Sequence, residues 1–416
     1  MGNNKKLVSK FAWKTRGVKL TLNKLHKILS FGFPFEVLNR DLKLIFFSNL
    51  TGSFGDGLFA YLLPKYITYA LNAGEAEVGI LYAIVGLVAA LTLLVAGMFA
   101  DRYDRKKIMI AGWLTWVPAP LIFSFAGNWL QMLPGMVLWG FWLGGPTGTA
   151  YIVTAADKSK LTLTFTAISA AWSFGYIFSP ALGGYLAGTI GMRVVFYLAF
   201  ILYALAAFVL CFISTQHAKG PTQHDAKEHY SFFKLLRTRK LLNLSIFFGS
   251  IMFIVMMFRP FVPNFLAEIH HYGDFEIGVL GSISFFSSAV LGLLLGKLGD
   301  RYRKSYALAV SMTLCSLSLI LLLLFGDFRI LIFTFFLTGG SYLTWSLLSA
   351  IVGPLAPESI RARWVSIPQT VSMFTSVAAP YVGGVLYEVS PYYPFIVAIG
   401  ATFFIALLAF RGLLEG

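Results

Sequence analysis

The sequence predicts an all-α membrane protein, with twelve transmembrane helices arranged as two six-helix bundles. Three observations carry that expectation. Of the 416 residues, 57% are hydrophobic and 12% charged, against about 25% charged in a soluble domain, which is too few to cover a water-facing surface. Apolar stretches of ~18 residues or more, each long enough to cross a bilayer, recur from Leu42 onward. The chain also repeats itself at a constant interval. Pro64, Glu77, Gly79, Gly97, Asp101, Arg102 and Tyr103 return 199 residues later as Pro263, Glu276, Gly278, Gly296, Asp300, Arg301 and Tyr302. Pro180, Gly183 and Gly184 return 200 later as Pro380, Gly383 and Gly384. So long a register points to a 6+6 tandem repeat.

The apolar runs are too long and too evenly apolar for barrel strands, and in lipid each must satisfy its own backbone, so they are read as helices. The spans expected are 42–66, 77–99, 108–126, 130–155, 162–187, 193–214, 241–267, 277–298, 305–325, 328–352, 364–387 and 392–411. With the N-terminus in the cytoplasm, that side carries 29 Lys or Arg and ten acids, and the other side three and seven. This is the positive-inside bias. It predicts cytoplasmic N- and C-termini in a cell (plasma) membrane, and it assigns the net charge of +15 to topology rather than to nucleic acid. Cys211 and Cys315 both fall in apolar runs, so no disulfide framework is expected. The basic, polar first forty residues carry no cleavable leader pattern.

Taken in order, residues 1–40 form a basic cytoplasmic segment. Val18, Leu22, Leu25 and Leu29 recur at helical spacing, with Lys19, Lys24 and Lys27 elsewhere on the wheel. That pattern suits either an amphipathic helix on anionic lipid headgroups or a basic tail that fixes topology. Residues 41–214 are the first bundle, the polar stretch 215–240 a cytoplasmic linker, and 241–412 the second bundle. At the end of the second span stands GMFADRYDRKK (97–107), and GKLGDRYRK (296–304) repeats its core. In the fifth span stands GYIFSPALGG (175–184), with Gly175, Ser179 and Gly183 on one small-residue stripe and Pro180 freeing a backbone carbonyl.

The loop pattern resembles the signature between helices 2 and 3 of the major facilitator superfamily, with Asp104 where that family usually has Gly. The resemblance extends over residues 41 to 412. It implies a secondary transporter in which Gly97, Asp101, Arg102, Arg105 and Lys106, with Gly296, Asp300 and Arg301, latch a cytoplasmic gate. The alternative is that Lys and Arg at that loop only set topology; the Gly-x-x-x-Asp-Arg spacing, present twice, favours the latch. The stripe of Gly175, Ser179, Pro180, Gly183 and Gly184 resembles the exporter signature of the same family, with Ser179 replacing a Gly. Thr375, Ala379, Pro380, Gly383 and Gly384 form a weaker copy, so part of the stripe is repeat symmetry. The Arg that many proton-coupled exporters of the family carry early in helix 4 is absent, Gly140 or Phe141 standing there.

Two charges fall deep within spans, Asp56 and Arg259. A charge at the bilayer centre costs at least ~2.5–3.5 kcal/mol on insertion scales, so each is a functional candidate. The resemblance places helices 1 and 7 on the central cavity. Asp56 is read as a proton-titrating carboxylate, Arg259 as an anchor for an anionic group, or the two as a mutually neutralising ion pair. Trp139, Trp142, Trp172, Tyr176, Tyr342 and Trp345 are candidates for an aromatic cavity wall, suited to an amphiphilic or cationic ligand. Trp113, Trp116 and Trp129 are read as interface anchors. His270 and His271 are read as part of a solvated loop rather than a metal site. No phosphate loop, dinucleotide fingerprint or zinc motif is present, so neither ATP-driven pumping nor an enzyme is expected. The expected function is export of a small, amphiphilic molecule by alternating access, driven by the proton gradient without cofactor or metal. The expected partners are that substrate and the lipid bilayer, the chain working as a monomer. The alternatives are an importer or facilitator of an organic anion or sugar held by Arg259, and a non-transporting receptor or scaffold.

Overall fold

The computed structural model describes residues 35–217, 239–352 and 361–411, and the regular elements in them are all helical. The expected amphipathic segment within 1–34, most of the 215–240 linker, and the side chains of Gly97, Asp101 and Trp345 lie outside the described residues. The first half comprises α1 (Arg40–Ala60), α2 (Leu63–Leu71), α3 (Glu75–Arg102), α4 (Arg105–Trp116), α5 (Pro118–Phe125), α6 (Leu133–Gly140), α7 (Gly144–Ala155), α8 (Leu161–Ile190) and α9 (Met192–Leu210). The second comprises α10 (Arg239–Phe258), α11 (Val262–Glu268), α12 (Asp274–Arg301), α13 (Lys304–Leu324), α14 (Phe328–Thr338), α15 (Thr344–Val352), α16 (Arg361–Ser376), α17 (Ala379–Val389) and α18 (Tyr393–Phe410). Among the described residues, seven helical segments are long and apolar enough to cross a membrane: α3, α4 with α5, α9, α10 with α11, α12, α13 and α18. Helix also overlays the other expected spans, several of them interrupted.

The interruptions follow the repeat. The chain breaks at Tyr61–Leu62 between α1 and α2, and 199 residues on it breaks at the 3-10 turn Arg259–Phe261 between α10 and α11. It breaks at 141–143 between α6 and α7, and again at the 3-10 turn Gly339–Leu343. Pro64 and Pro263 each stand in the first turn after the break, where a missing N–H costs nothing. Backbone groups freed at the breaks find local partners, as a buried break requires. The Phe141 carbonyl accepts from Trp116 Nε1 at 2.6 Å, Trp142 N–H donates to Thr92 Oγ1 at 3.0 Å, and the Gly340 carbonyl accepts from Ser311 Oγ at 2.7 Å.

Small residues set the helix contacts. A Cβ added at Gly175 would lie 2.0 Å from Ser53 Oγ, and one at Gly183 only 1.8 Å from the Leu58 carbonyl oxygen. The stripe on α8 therefore packs flush against α1. Gly184 faces the other half, where a Cβ would meet the Asp274 carbonyl oxygen at 2.1 Å, and Gly384 of α17 meets the Glu75 carbonyl oxygen at 2.2 Å. Gly79 and Gly278 make the reciprocal contacts on Pro380 and Pro180. All of these approaches between the halves cluster at one face, termed distal because it carries the 71–75 and 268–274 turns. An ion pair between Lys65 Nζ and Asp274 Oδ1 at 2.7 Å joins the halves there. The opposite, terminal face carries the start of α1 and the loop between α3 and α4.

Candidate functional site

Asp56 sits one turn before the α1 break and is 3% exposed. Its flanks are glycine, in the run GSFGDG (52–57), and this lets large rings come close. A Cβ at Gly52 would overlap the Trp113 ring at 1.8 Å, and one at Gly57 would lie 3.2 Å from the Tyr176 ring. Three donors from three other helices converge on the carboxylate. Trp139 Nε1 of α6 donates to Oδ1 at 2.8 Å, Tyr203 OH of α9 donates to Oδ1, and Tyr176 OH of α8 donates to Oδ2. An ionised carboxylate only accepts, and three donors suit it. A protonated Asp56 must donate once, so one hydroxyl partner would have to turn and accept or let go. Protonation of this group therefore rewires contacts among four helices. The Tyr82 hydroxyl is also buried and makes no hydrogen bond among the described residues.

Beside Asp56, on the terminal side, lies a cavity of about 200 Å³ within the first half. Trp113, Trp116, Phe141, Trp142, Phe165 and Trp172 supply most of its wall, with Asn49, Thr149 and Ser169 as polar points. The rings form one cluster: Trp113 stacks on Trp172 at 6.3 Å, Trp116 meets Trp142 at 5.6 Å, and Trp172 stacks on Tyr176 at 6.2 Å. The expected interface anchors Trp113 and Trp116 are thus corrected. Both are buried, at 9% exposure each, in the cavity wall. Their signal was ambiguous because amphipathic rings suit a membrane interface and a cavity lining equally well. Tyr203, the most buried of the three donors, was missed, since a lone Tyr in an apolar run reads as packing.

Arg259 is placed across the interface, and no ion pair joins it to Asp56. Its guanidinium lies over the Tyr342 ring at 4.0 Å and 3.5 Å from Ser341 Oγ. A bridge of rings links the two charges, with Tyr176 to Phe285 at 4.7 Å and Phe285 to Tyr342 at 5.1 Å. Of the expected wall residues, Trp142, Trp172 and Tyr176 belong to the cluster around the cavity, while Tyr342 lies with Arg259. At the distal turn, His270 is not simply solvated, because Nε2 contacts the Leu322 carbonyl at 2.9 Å and the ring packs edge-on against Phe265.

The family model of the Major Facilitator Superfamily matches residues 45–262 and 244–415. The chain belongs to that superfamily. It is 24% identical over 373 residues to Multidrug resistance protein 2 of Bacillus subtilis, covering 85% of this chain and 91% of that protein. It is 24% identical over 342 residues to a multi-drug resistance efflux pump PmrA homolog of Lactococcus lactis, covering 78% and 82%. The fold is shared with the nucleoside transporter NupG, at a TM-score of 0.76 and 16% identity over 90% of this chain and 99% of that one. The chain is accordingly an integral membrane transport protein.

In this superfamily member, the loop signature after α3 is built into the first half. Asp104, the departure from the family pattern, caps α4 by accepting from Lys106 N–H at 3.0 Å, and also accepts from Gln216 N–H at 3.2 Å. Arg105 donates to the Ala150 carbonyl at 3.1 Å, Thr154 Oγ1 at 2.7 Å and Gln216 Oε1 at 2.8 Å, tying the loop to α7. Arg102 is exposed and Lys106 half-buried. In the second copy Gly296, Asp300 and Arg301 are exposed, and Arg301 lies over the Tyr302 ring at 5.6 Å.

Proposed function

We propose that this protein exports a small amphiphilic molecule with an aromatic or cationic part, in exchange for protons, with Asp56 as the coupling carboxylate. The observation that carries the reading is the buried carboxylate, held by Trp139, Tyr176 and Tyr203 and set against an aromatic cavity. Aromatic walls bind flat apolar rings by stacking and cations by the face of the ring, and relatives named multidrug resistance proteins and efflux pumps favour such a cargo. The coupling follows from the hydrogen-bond count. Charged Asp56 accepts from all three donors, whereas proton uptake obliges one hydroxyl partner, on α8 or α9, to turn and accept or to let go. Tyr203 packs against Trp113 and Trp116, and Tyr176 against Trp172, so the groups that respond to the proton touch the rings that wall the cavity.

The architecture proposed is twelve spans in two six-helix bundles, 41–214 and 241–412, with the termini in the cytoplasm of a cell bearing the protein in its plasma membrane. The bundles would rock about the midplane breaks, and the close distal contacts support reading the present conformation as the one closed toward the outside. Asp101, Arg102, Arg105, Lys106, Asp300 and Arg301 would latch the cytoplasmic side in the opposite state. Asp56→Asn should abolish pH-gradient-driven transport in proteoliposomes while leaving substrate binding measurable. Unchanged coupling in that variant would remove Asp56 from the mechanism. A second reading rests on Arg259, whose guanidinium pairs with no carboxylate among the described residues and so could hold an anionic group. On that reading Arg259→Ala would lose uptake of organic anions and leave cation export untouched.

A further inference from the structure

At the distal face, beyond the break after α1 and the short helix α2, a second carboxyl is buried at the junction of the halves. Glu75, the first residue of α3, is 8% exposed. Asn264 of α11, in the other half and wholly buried, donates through Nδ2 to Glu75 Oε1 at 2.7 Å, to Oε2 at 2.8 Å and to Thr68 Oγ1 at 2.9 Å. Thr68 OH also donates to Glu75 Oε1 at 3.2 Å. The amide oxygen Asn264 Oδ1 is buried and accepts from nothing among the described residues. The groups facing Glu75 from the packed elements are acidic or phenolic: Glu268 on α11, Glu388 and Tyr387 on α17, and Tyr69 on α2. Glu388 Oε1 accepts from Ala76 N–H at 3.0 Å, Tyr387 OH donates to Glu268 Oε2 at 3.0 Å, and Glu77 on α3 accepts from Gly74 N–H at 2.8 Å. Among the described residues none of these carboxylates is ion-paired with a cation.

We infer that Glu75 and Asn264 form a proton-binding lock on the distal face, separate from Asp56. A carboxylic acid and a primary amide make a closed two-bond ring: the acid O–H serves the amide oxygen, and an amide N–H serves the acid carbonyl. With the acid ionised, the amide can offer only N–H, straddling both carboxylate oxygens and leaving its own oxygen empty. That is the arrangement present. Proton uptake supplies the hydrogen that Oδ1 lacks, and an unfilled buried acceptor is otherwise costly. Closing the halves also removes water from Glu75 and brings Glu268 and Glu388 near it without a compensating cation. Both changes favour the protonated form. By linkage, the closed distal state holds the proton more tightly than the open one, so acid outside stabilises closure and loss of the proton loosens it. The inference rests on the alternating-access reading for its use in transport, but not on Asp56 as the coupling group.

The test is a distance across the distal face. Nitroxide labels at Asn72→Cys and Tyr392→Cys, both exposed, are placed in a Cys211→Ser, Cys315→Ser background and measured by double electron–electron resonance between pH 5 and 9 in nanodiscs. The long-distance, open population should grow with pH, by up to about tenfold in the open-to-closed ratio per pH unit for one proton. Glu75→Gln, which keeps a neutral side chain able to pair with the Asn264 amide, should stay closed across the range, and Glu77→Gln, whose amide oxygen can still accept from Gly74 N–H, should keep the full response. A pH response that survives in Glu75→Gln, that disappears in Glu77→Gln instead, or that is absent from the parent protein would overturn the lock. Because the readout is a distance and not a flux, none of these results decides whether Asp56 couples transport.

Discussion

At the level of single residues, the account turns on how one carboxylate is held. Asp56 has three donors and, among the described residues, no cation, so each donor should matter to the folded state. Removing one hydrogen bond to a buried charged group costs about 1–3 kcal/mol. Tyr203→Phe and Trp139→Phe should therefore each lower the thermal unfolding temperature in detergent, whereas Phe125→Ala, at a ring 70% exposed, should not. An unchanged melting point in Tyr203→Phe would mean that the hydroxyl contact is dispensable. Asp56 and Arg259 were legible because a charge within an apolar run stands out. Their surroundings were not. Trp139, Tyr176 and Tyr203 come from positions 139, 176 and 203, and only tertiary packing tells a donor to Asp56 from any other ring in lipid or core. The mutual ion pair, one reading open in the sequence, is absent because three rings, Tyr176, Phe285 and Tyr342, stand between the two charges.

Among elements, the glycines decide what can touch. The stripe on α8 was legible as small-residue spacing, but its two directions were not: Gly175 and Gly183 meet α1, while Gly184 meets the other half. One residue's step along a helix turns the side chain by about 100 degrees, and this serves both contacts from one motif. Gly183→Ala would drive a Cβ to 1.8 Å from a backbone oxygen, whereas Gly188→Ala meets nothing nearer than 3.9 Å. The first should destabilise by about 1–3 kcal/mol and the second should be close to neutral, as thermal unfolding in detergent would show. Asp104 teaches a related lesson. It looked like a flaw in the loop signature, yet an Asp at a helix start serves as its cap, and there it also holds Gln216.

Across the whole molecule, the repeat was readable to the residue. The offset of 199 that links Gly97 to Gly296 also links the breaks near Gly140 and Gly339, although the sequence at the two breaks, GFWLG and GGSYL, is scarcely alike. What the repeat did not reveal is its asymmetry: the aromatic cavity is in the first half, and the guanidinium of Arg259, with no carboxylate partner among the described residues, is in the second. A directional carrier of an asymmetric cargo is consistent with that division. The central claim is that cargo and proton exchange through the first-half site. It is tested most directly by loading proteoliposomes with the purified parent protein and a pH-sensitive dye, then adding an aromatic cation on one side. The account predicts proton movement opposite to the cation and proportional to it, with cation accumulation driven by an imposed pH gradient. Cation movement that proceeds at the same rate with no proton displacement would contradict it.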